Sequence, residues 1–241
     1  SSELPFEESL VLALAKIPGL YAITPCTQLP VDLKVVAKML EAEVEKYPSE
    51  RKTFCVNTVR SDKKFPLHSN EVDRQMGGVV LNRRPEWKVK LVRPQIIFEI
   101  RIYEQEIYLS SKKVLGIGGQ PAGLSGHVVT LLSGGYDSPV ASYMMAKRGC
   151  SQTLAFFHAA PYVGDDIKDK ILALAKVLAT YMKKTHLVIF PFGKIQHRLA
   201  ETCRQEYRTI LFRIFMMKCA EEYAQKNKAT ALITGDCIGQ V

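Results

Sequence analysis

The chain has 241 residues, 47% hydrophobic and 24% charged, a balance typical of globular domains rather than disordered or membrane-spanning chains. No apolar run reaches the roughly 20 residues that a membrane-spanning helix needs, and no secretory signal pattern is evident. The net charge of +9 favours a polyanionic partner, while six scattered cysteines without a C-x-x-C pair argue against a disulfide framework or a zinc site. We therefore expect a cytoplasmic protein with reduced thiols.

The first half of the chain mixes helical and strand patterns. One-face spacing of apolar residues predicts an amphipathic helix in VDLKVVAKMLEAEVEKY, with Asp32 near its start. A second helix is predicted in SNEVDRQMGGVVLNRR, interrupted at Gly77-Gly78. Strands are predicted in KTFCVNTVR, WKVKLVRP, QIIFEIRIYE and EIYLSSKKV. Together these patterns indicate an α+β module with an antiparallel component.

Most of the positive charge lies in one window of this module. Between Arg51 and Arg93 the chain carries eleven Lys/Arg and four Asp/Glu. A solvated basic face would explain the excess, and so would nucleic-acid binding, which releases counterions from the phosphates that such a surface neutralises. Both interpretations remain open at this point.

The segment GIGGQPAGLSG (116–126) separates two halves of different texture. Five glycines and a proline predict a flexible connection and a domain boundary, although a ligand-binding loop is an alternative. Beyond it, apolar strands alternate with amphipathic helices, which predicts βαβ units and a parallel sheet covered on both faces. Such sheets bind ligands beyond the carboxyl ends of their strands.

The stretch TLLSGGYDSPVASYMMAKRGC carries the chemistry, because a strand passes directly into a helix there. Gly134 and Gly135 let the backbone approach a ligand, while Ser138 suits a helix N-cap and Pro139 the first helical position. This arrangement predicts an anion site at a helix N-terminus. An acid at Asp137 would be repelled by a phosphate unless it binds Mg²⁺ or orients a donor. The loop has neither the Walker lysine nor the dinucleotide-binding glycine pattern.

SGGYDS resembles the SGG-x-D-S signature of the PP-loop ATP pyrophosphatases, which cleave ATP between its α and β phosphates. Together with GIGGQPAG, FFHAAP and LITGDCIGQV it is similar to the ThiI family of tRNA 4-thiouridine synthetases. KTFCVNTVRSDKKFP and the helix that follows resemble the THUMP RNA-binding domain of that family. The resemblance implies an α/β protein: an α+β THUMP-like domain followed by a doubly wound PP-loop domain of the adenine nucleotide α-hydrolase-like kind.

The same resemblance implies a domain layout and a chain that is truncated at both ends. A remnant of a ferredoxin-like domain is expected at 1–7, the THUMP-like domain at 8–115, a glycine-rich linker at 116–126 and a C-terminally incomplete PP-loop domain at 127–241. The cysteine that accepts sulfur in relatives is expected to lie outside this chain. Cys237 is considered as a substitute and disfavoured, because its position matches a non-cysteine residue in relatives.

The activity implied by the resemblance is ATP-dependent thiolation of uridine in tRNA. The uridine C4 oxygen is adenylated with release of pyrophosphate, and sulfur delivered as a persulfide by a cysteine desulfurase then displaces AMP. The family also implies a supply of sulfur to thiamine biosynthesis. ATP and Mg²⁺ are the expected cofactors, tRNA and the desulfurase the expected partners, with no membrane; a homodimer is left open.

Site residues are carried over from the family by position. Asp137 and Ser133 are expected to be catalytic, with Asp137 as a Mg²⁺ ligand, while Arg213 interrupts an apolar helix face and so needs a partner. ATP is expected to contact Leu131, Leu132, Ser133, Gly134, Gly135, Asp137, Ser138, Phe156, Phe157, Arg213 and Gly235. RNA is expected to contact Arg51, Lys52, Arg60, Lys63, Lys64, Arg83 and Arg84.

Two other functions remain open. The chain could be another PP-loop enzyme, either a tRNA-modifying one or an amide-forming ligase, which would need no sulfur donor. It could instead be a catalytically incomplete tRNA-binding fragment whose nucleotide loop is a relic, although the intact Asp137 argues against that interpretation.

Overall fold

The computed structural model describes residues 8–61, 63–160, 164, 166–182 and 184–236. The expected remnant at 1–7 and Cys237 lie outside these residues. In chain order the elements are α1 (Glu8–Ala15), β1 (Ala22–Ile23), β2 (Thr27–Leu29), α2 (Leu33–Glu45), β3 (Thr53–Arg60), α3 (Ser69–Arg83), β4 (Lys88–Val89), β5 (Ile96–Ile102), β6 (Ile107–Ser110), β7 (Val114–Leu115), β8 (His127–Leu131), α4 (Asp137–Lys147), β9 (Ser151–His158), α5 (Asp166–Ala179), β10 (Thr185–Pro191), α6 (Gly193–Thr202), α7 (Gln205–Lys226) and β11 (Ala231–Ile233).

The described residues form two compact units. Unit 1 is Ile23–Val114, and unit 2 contains the described parts of Glu7–Ala22 and Leu115–Val241. The sequence layout placed α1 in the first domain, whereas its contacts place it in unit 2. None of the helices in the described ranges is long and apolar enough to cross a membrane.

Unit 1 is a five-stranded mixed sheet in the order β2-β6-β5-β3-β4. β3 runs parallel to β4 and β5, whereas β6 is antiparallel to β5 and β2, so the antiparallel component is confirmed. Helices α2 and α3 contribute Leu40 and Val72 to one core with Phe54 and Phe98 of the sheet. Asp32 caps α2, since its carboxylate accepts from the Lys34 N–H at 2.8 Å.

Helix α3 corrects one expectation from the sequence. It runs without interruption through Gly77 and Gly78, because Val72, Met76 and Val80 on one face are all buried in the unit 1 core. A methyl group added at either glycine would contact nothing within 4 Å, so neither is required by close packing. Tertiary burial therefore outweighs the low helix propensity of two glycines.

Unit 2 contains a parallel sheet in the order β10-β9-β8-β11, with helices on both faces. On one face Tyr143 of α4 and Ile171 of α5 pack with Leu132, and on the other Ala224 of α7 packs with Val129. The doubly wound architecture is thus confirmed, although helix α6 was not predicted. The strand order reverses between β8 and β11, the position at which such sheets open a crevice for ligands.

The glycine-rich segment is a packed part of unit 2, not a free tether. Ile117 N–H donates to the Ala15 carbonyl of α1, and Gln120 N–H donates to the Lys147 carbonyl at the end of α4, both at 2.9 Å. Gly119 has φ +83°, and a Cβ there would lie 2.0 Å from the Lys147 oxygen. Glycine in this segment therefore permits close backbone contact, whereas the composition alone suggested a flexible connection.

A buried polar network joins β8, α4 and β9 beneath the loop that follows β8. The Gln152 side chain is fully buried, accepts from the hydroxyls of Thr130 (2.7 Å) and Ser142 (3.0 Å), and donates to the Ser142 carbonyl (2.8 Å). Both ends of the amide are thus used, which satisfies the condition for burying it.

Replacement of Gln152 by leucine is expected to destabilise unit 2 by about 2 kcal/mol, because two buried hydroxyls lose their acceptor. Thermal unfolding followed by circular dichroism would measure the change. The exposed Gln225 on α7 provides a matched control, since Gln225→Leu should alter stability by less than about 0.5 kcal/mol. Equal melting temperatures for the two variants would show that the network contributes nothing.

Candidate active site

The loop between β8 and α4 is held by its own serines. Ser138, only 3% exposed, accepts from the Ser133 N–H at 2.8 Å, and the two hydroxyls lie 3.0 Å apart. Helix α4 begins at Asp137 with Tyr136 as its cap, so Ser138 is not the N-cap predicted from the sequence. It instead closes the loop from inside the first helical turn, which fixes the backbone amides that surround the anion site.

A cleft of about 520 Å³ opens beside this loop, within the size range of small-molecule sites. It lies at the carboxyl ends of β8 and β11, where the strand order reverses. Its lining residues are Leu131, Ser133, Asp137, Ser138, Arg213, Met216, Met217, Thr234, Gly235 and Asp236. Six of the predicted nucleotide contacts are therefore brought together in one place.

Gly235 is required by the close approach of two backbones. A Cβ at this position would lie 2.3 Å from the Ser138 nitrogen and 2.5 Å from the Asp137 carbonyl carbon. The family resemblance predicts Gly235 as an ATP contact. The structure adds that it lets the backbone after β11 pack directly against the first turn of α4, at the wall of the cleft.

Arg213 is exposed, so the expectation that burial on an apolar helix face forces it to have a partner is wrong. Its side chain is 68% exposed and borders the cleft, so no burial penalty forces a partner on it. Its nearest carboxylate is Asp236, with the guanidinium nitrogen 3.8 Å from Oδ1. At this distance and exposure the pair is weak, which leaves the guanidinium available to an anionic ligand.

Three predicted nucleotide contacts have their side chains elsewhere. Leu132 and Phe156 are buried in the core between the sheet and α5, and Phe157 stacks on Phe190 at 4.8 Å. These side chains do not line the cleft, and only their backbone groups can face a ligand at the strand ends. Successive side chains of a strand point to opposite faces of the sheet. Because helices cover both faces, these apolar side chains pack in the core on either side.

Sequence reasoning missed Met216, Met217 and Thr234, which also line the cleft. Met216 and Met217 follow Arg213 by one helical turn, and that spacing could have placed them on the same side of α7. Thr234 and Asp236 flank Gly235 after β11, in the loop that the topology brings to the crevice. Asp236 lines the cleft beside Arg213.

The described cysteines take no part in this site. Burial raises the pKa of the Cys55 and Cys150 thiols above the usual range, which keeps them protonated and unreactive. Cys26, Cys203 and Cys219 are also free thiols and none lines the cleft. Among the residues described, no group of three or more His, Cys, Asp or Glu side chains could hold a metal ion.

Three of the seven basic residues predicted to contact RNA (Arg60, Arg83 and Arg84) make contacts within unit 1. Arg60 donates to the carbonyls of Phe65 (3.1 Å) and Leu67 (2.7 Å), so it braces the segment after β3. Arg83 and Arg84 both pair with Glu45 of α2, so these three arginines have structural roles within the unit. Arg51, Lys63 and Lys64 are exposed, and Lys52 is partly exposed.

Two protein-family models match this chain. The model for the thiamine biosynthesis protein ThiI matches residues 123–241, and that for the THUMP domain matches residues 30–112. Among curated relatives, a probable tRNA sulfurtransferase of Acetivibrio thermocellus is 39% identical over 240 residues, or 98% of this chain. One from Thermoanaerobacter sp. (strain X514) is 39% identical over 97% of the chain. The chain spans about 60% of the length of each of these relatives.

Solved structures agree with these matches. A 4-thiouridine synthetase crystallised in complex with RNA and with bound ATP superimposes with a TM-score of 0.87 at 27% identity, over 98% of this chain and 63% of that one. PH1313 from Pyrococcus horikoshii superimposes with a TM-score of 0.69 at 20% identity, over 95% of this chain, which shows a common fold.

Proposed function

The chain belongs to the ThiI family, and on that premise we propose that it carries the nucleotide-activation step of tRNA uridine thiolation. The observation that carries the proposal is the cleft at the end of β8 and β11, where Ser133, Asp137 and Arg213 converge beside a helix N-terminus. When bound, ATP supplies an α-phosphorus for attack by the uridine C4 oxygen, with pyrophosphate as the leaving group.

The cleft and the glycine loop beside it fit an adenine nucleotide in chemical terms. Gly134, Gly135 and the first turn of α4 offer backbone amides and the positive end of a helix dipole to phosphates. Arg213 adds a charge-assisted donor, while Leu131 and Met217 offer apolar surface for an adenine ring. Leu132, Phe156 and Phe157 would act through backbone groups, since their side chains are in the core.

Asp137 is proposed to hold Mg²⁺ together with phosphate oxygens. Two carboxylates, Asp137 and Asp236, line a cleft that must accept a polyanion. Such a combination is unfavourable without a divalent cation between them, and Mg²⁺ is commonly bound by one or two carboxylates plus phosphates. Ser133 is proposed to shape the loop, because its hydroxyl bonds to Ser138 and receives the Gly135 N–H at 3.4 Å.

Unit 1 is proposed to bind tRNA through its exposed basic side chains, chiefly Arg51, Lys52, Lys63 and Lys64. Such contacts position the RNA by its backbone rather than by its sequence. Binding should therefore weaken steeply with salt. A cytoplasmic site of action, a cysteine desulfurase as sulfur donor and a supply of sulfur to thiamine synthesis belong to the same proposal by family membership.

The decisive experiment identifies the nucleotide released from α-³²P-labelled ATP in the presence of Mg²⁺ and unmodified tRNA. We expect labelled AMP to appear only when tRNA is added. No sulfur donor is needed for this signal, because water can hydrolyse the adenylated uridine and release AMP. Replacing ATP by its α,β-methylene analogue is the matched control, because that analogue cannot be cleaved between the α and β phosphates.

Each other outcome assigns a different function. Labelled ADP would mean chemistry at the γ-phosphate and would overturn the proposal. AMP formation that depends on an amine acceptor instead of tRNA would indicate an amide-forming ligase. Binding of tRNA without any affinity for ATP would indicate an RNA-binding module without nucleotide chemistry.

A further inference from the structure

Helix α5 brings a lysine against the glycine loop. A Cβ built on Gly134 would lie 2.9 Å from Ile167 Cδ1 and 3.8 Å from Lys170 Nζ. The loop between β8 and α4 contains no lysine of its own, so this ammonium group comes from a helix that begins about thirty residues later in the chain. Gly134 is thus the point at which α5 touches the loop.

The backbone at Lys170 is held in place by neighbouring residues of α5 that pack in the core. Ile167 packs against the cluster that holds Leu132 and the fully buried Ile171. Residues three apart on a helix lie on the same side, so Lys170 follows Ile167 onto the side that faces the loop. Because Ile167 and Ile171 hold the helix backbone on both sides of Lys170, the position of the ammonium group depends mainly on the flexible side chain of the lysine.

The charge of Lys170 is not neutralised within the described part of the chain. The residue is exposed, and no described carboxylate forms an ion pair with it, including Asp166 one turn earlier. A lysine whose cationic end lies beside a loop of backbone amides suits the binding of a phosphate chain.

We propose that Lys170 is a phosphate-contacting residue that holds the β and γ phosphates of ATP and stabilises the pyrophosphate that leaves. The inference rests on the proposed ATP site and adds to it a cation that the loop's own sequence lacks. A positive charge on this side of the loop acts where negative charge accumulates as the bond between Pα and the bridging oxygen breaks. Lys170 forms no covalent bond in this step, and the electron pair of the broken bond stays with pyrophosphate.

The test compares Lys170→Met and Lys170→Arg with Lys176→Met, a matched control on the exposed surface of the same helix. Calorimetric titrations with ATP, pyrophosphate and AMP, each with Mg²⁺, would measure the affinities. Lys170→Met should weaken ATP and pyrophosphate binding about tenfold while AMP binding stays within a factor of two. Lys170→Arg should retain most of the affinity, and Lys176→Met should match the wild type.

The outcomes separate this inference from the function on which it rests. A wild-type chain that binds neither ATP nor AMP would overturn both. Wild-type affinity for ATP in Lys170→Met would overturn the role of Lys170 alone. Equal weakening of ATP and AMP would also overturn it, because a residue that merely supports the fold would affect all nucleotides alike.

Discussion

Replacement of Asp137 by asparagine is expected to lower tRNA-dependent pyrophosphate release by about 100-fold or more. Asparagine preserves the size of the side chain at the first position of α4 but removes the charge that would bind Mg²⁺ beside the phosphates. Because the side-chain volume is nearly unchanged, we expect the other lining residues of the cleft to keep their positions. The loss should therefore fall on turnover and on Mg²⁺-dependent affinity rather than on folding.

Two measurements check this expectation. The first is the rate of AMP formation from labelled ATP, and the second is the ratio of ATP affinities with and without Mg²⁺, which remains informative at slow turnover. Asp169→Asn is the matched control, since Asp169 is an exposed acid in the first turn of α5. A variant at Asp137 that keeps both the rate and the Mg²⁺ ratio of the wild type would refute the proposed metal ligand.

Replacement of Gly235 by alanine is expected to weaken ATP binding by more than tenfold and to destabilise unit 2 by about 2–3 kcal/mol. The added methyl group would lie 2.3 Å from the Ser138 nitrogen and 2.5 Å from its Cα. Both neighbours are backbone atoms, so no side chain can rotate away. The end of β11 must instead move from α4, and the two walls of the cleft separate.

The two units allow these effects to be resolved. Trp87 is the only tryptophan of the chain and is buried in unit 1, so its fluorescence follows the unfolding of that unit. Gly235→Ala should lower the unit 2 transition seen by circular dichroism without moving the fluorescence transition. Gly78→Ala, where a methyl group meets nothing, should raise the fluorescence transition through improved helix propensity. Unchanged ATP affinity in Gly235→Ala would contradict the role assigned to it.

The location of the cleft was predictable from local sequence pattern. A strand that ends in Ser-Gly-Gly and passes into a helix predicts an anion site, and parallel strands predict that this site lies at their carboxyl ends. Asp137 could be selected because it follows the Ser-Gly-Gly turn after β8, and Gly235 because it comes just after β11. Arg213 was found by its position in an apolar helix, although its exposure makes the original reason wrong.

What could not be predicted depends on the direction of side chains and on contacts between distant segments. Phe156 and Phe157 point to opposite faces of the sheet, and sequence alone does not tell which strand end leaves a side chain free. Lys170 reaches Gly134 because Ile167 anchors α5 on the cluster that contains Leu132, a contact that the chain order does not reveal. The internal partners of Arg60, Arg83 and Arg84 likewise arise from tertiary packing, so a count of basic residues overestimates the surface open to RNA.

The packing of α1 on the glycine-rich segment has a topological consequence. Because unit 2 contains α1 as well as the described residues from Leu115 onward, the described part of unit 1, Ile23–Val114, is inserted between two segments of unit 2. The chain leaves unit 2 along β1 and returns along β7, and these strands pair with each other, so both ends of the insertion are neighbours. Excision of unit 1 with a short loop across β1 and β7 should therefore leave the nucleotide cleft whole. A fragment that begins at His127 would instead lack α1 and the glycine-rich segment that contacts α1, both of which belong to unit 2.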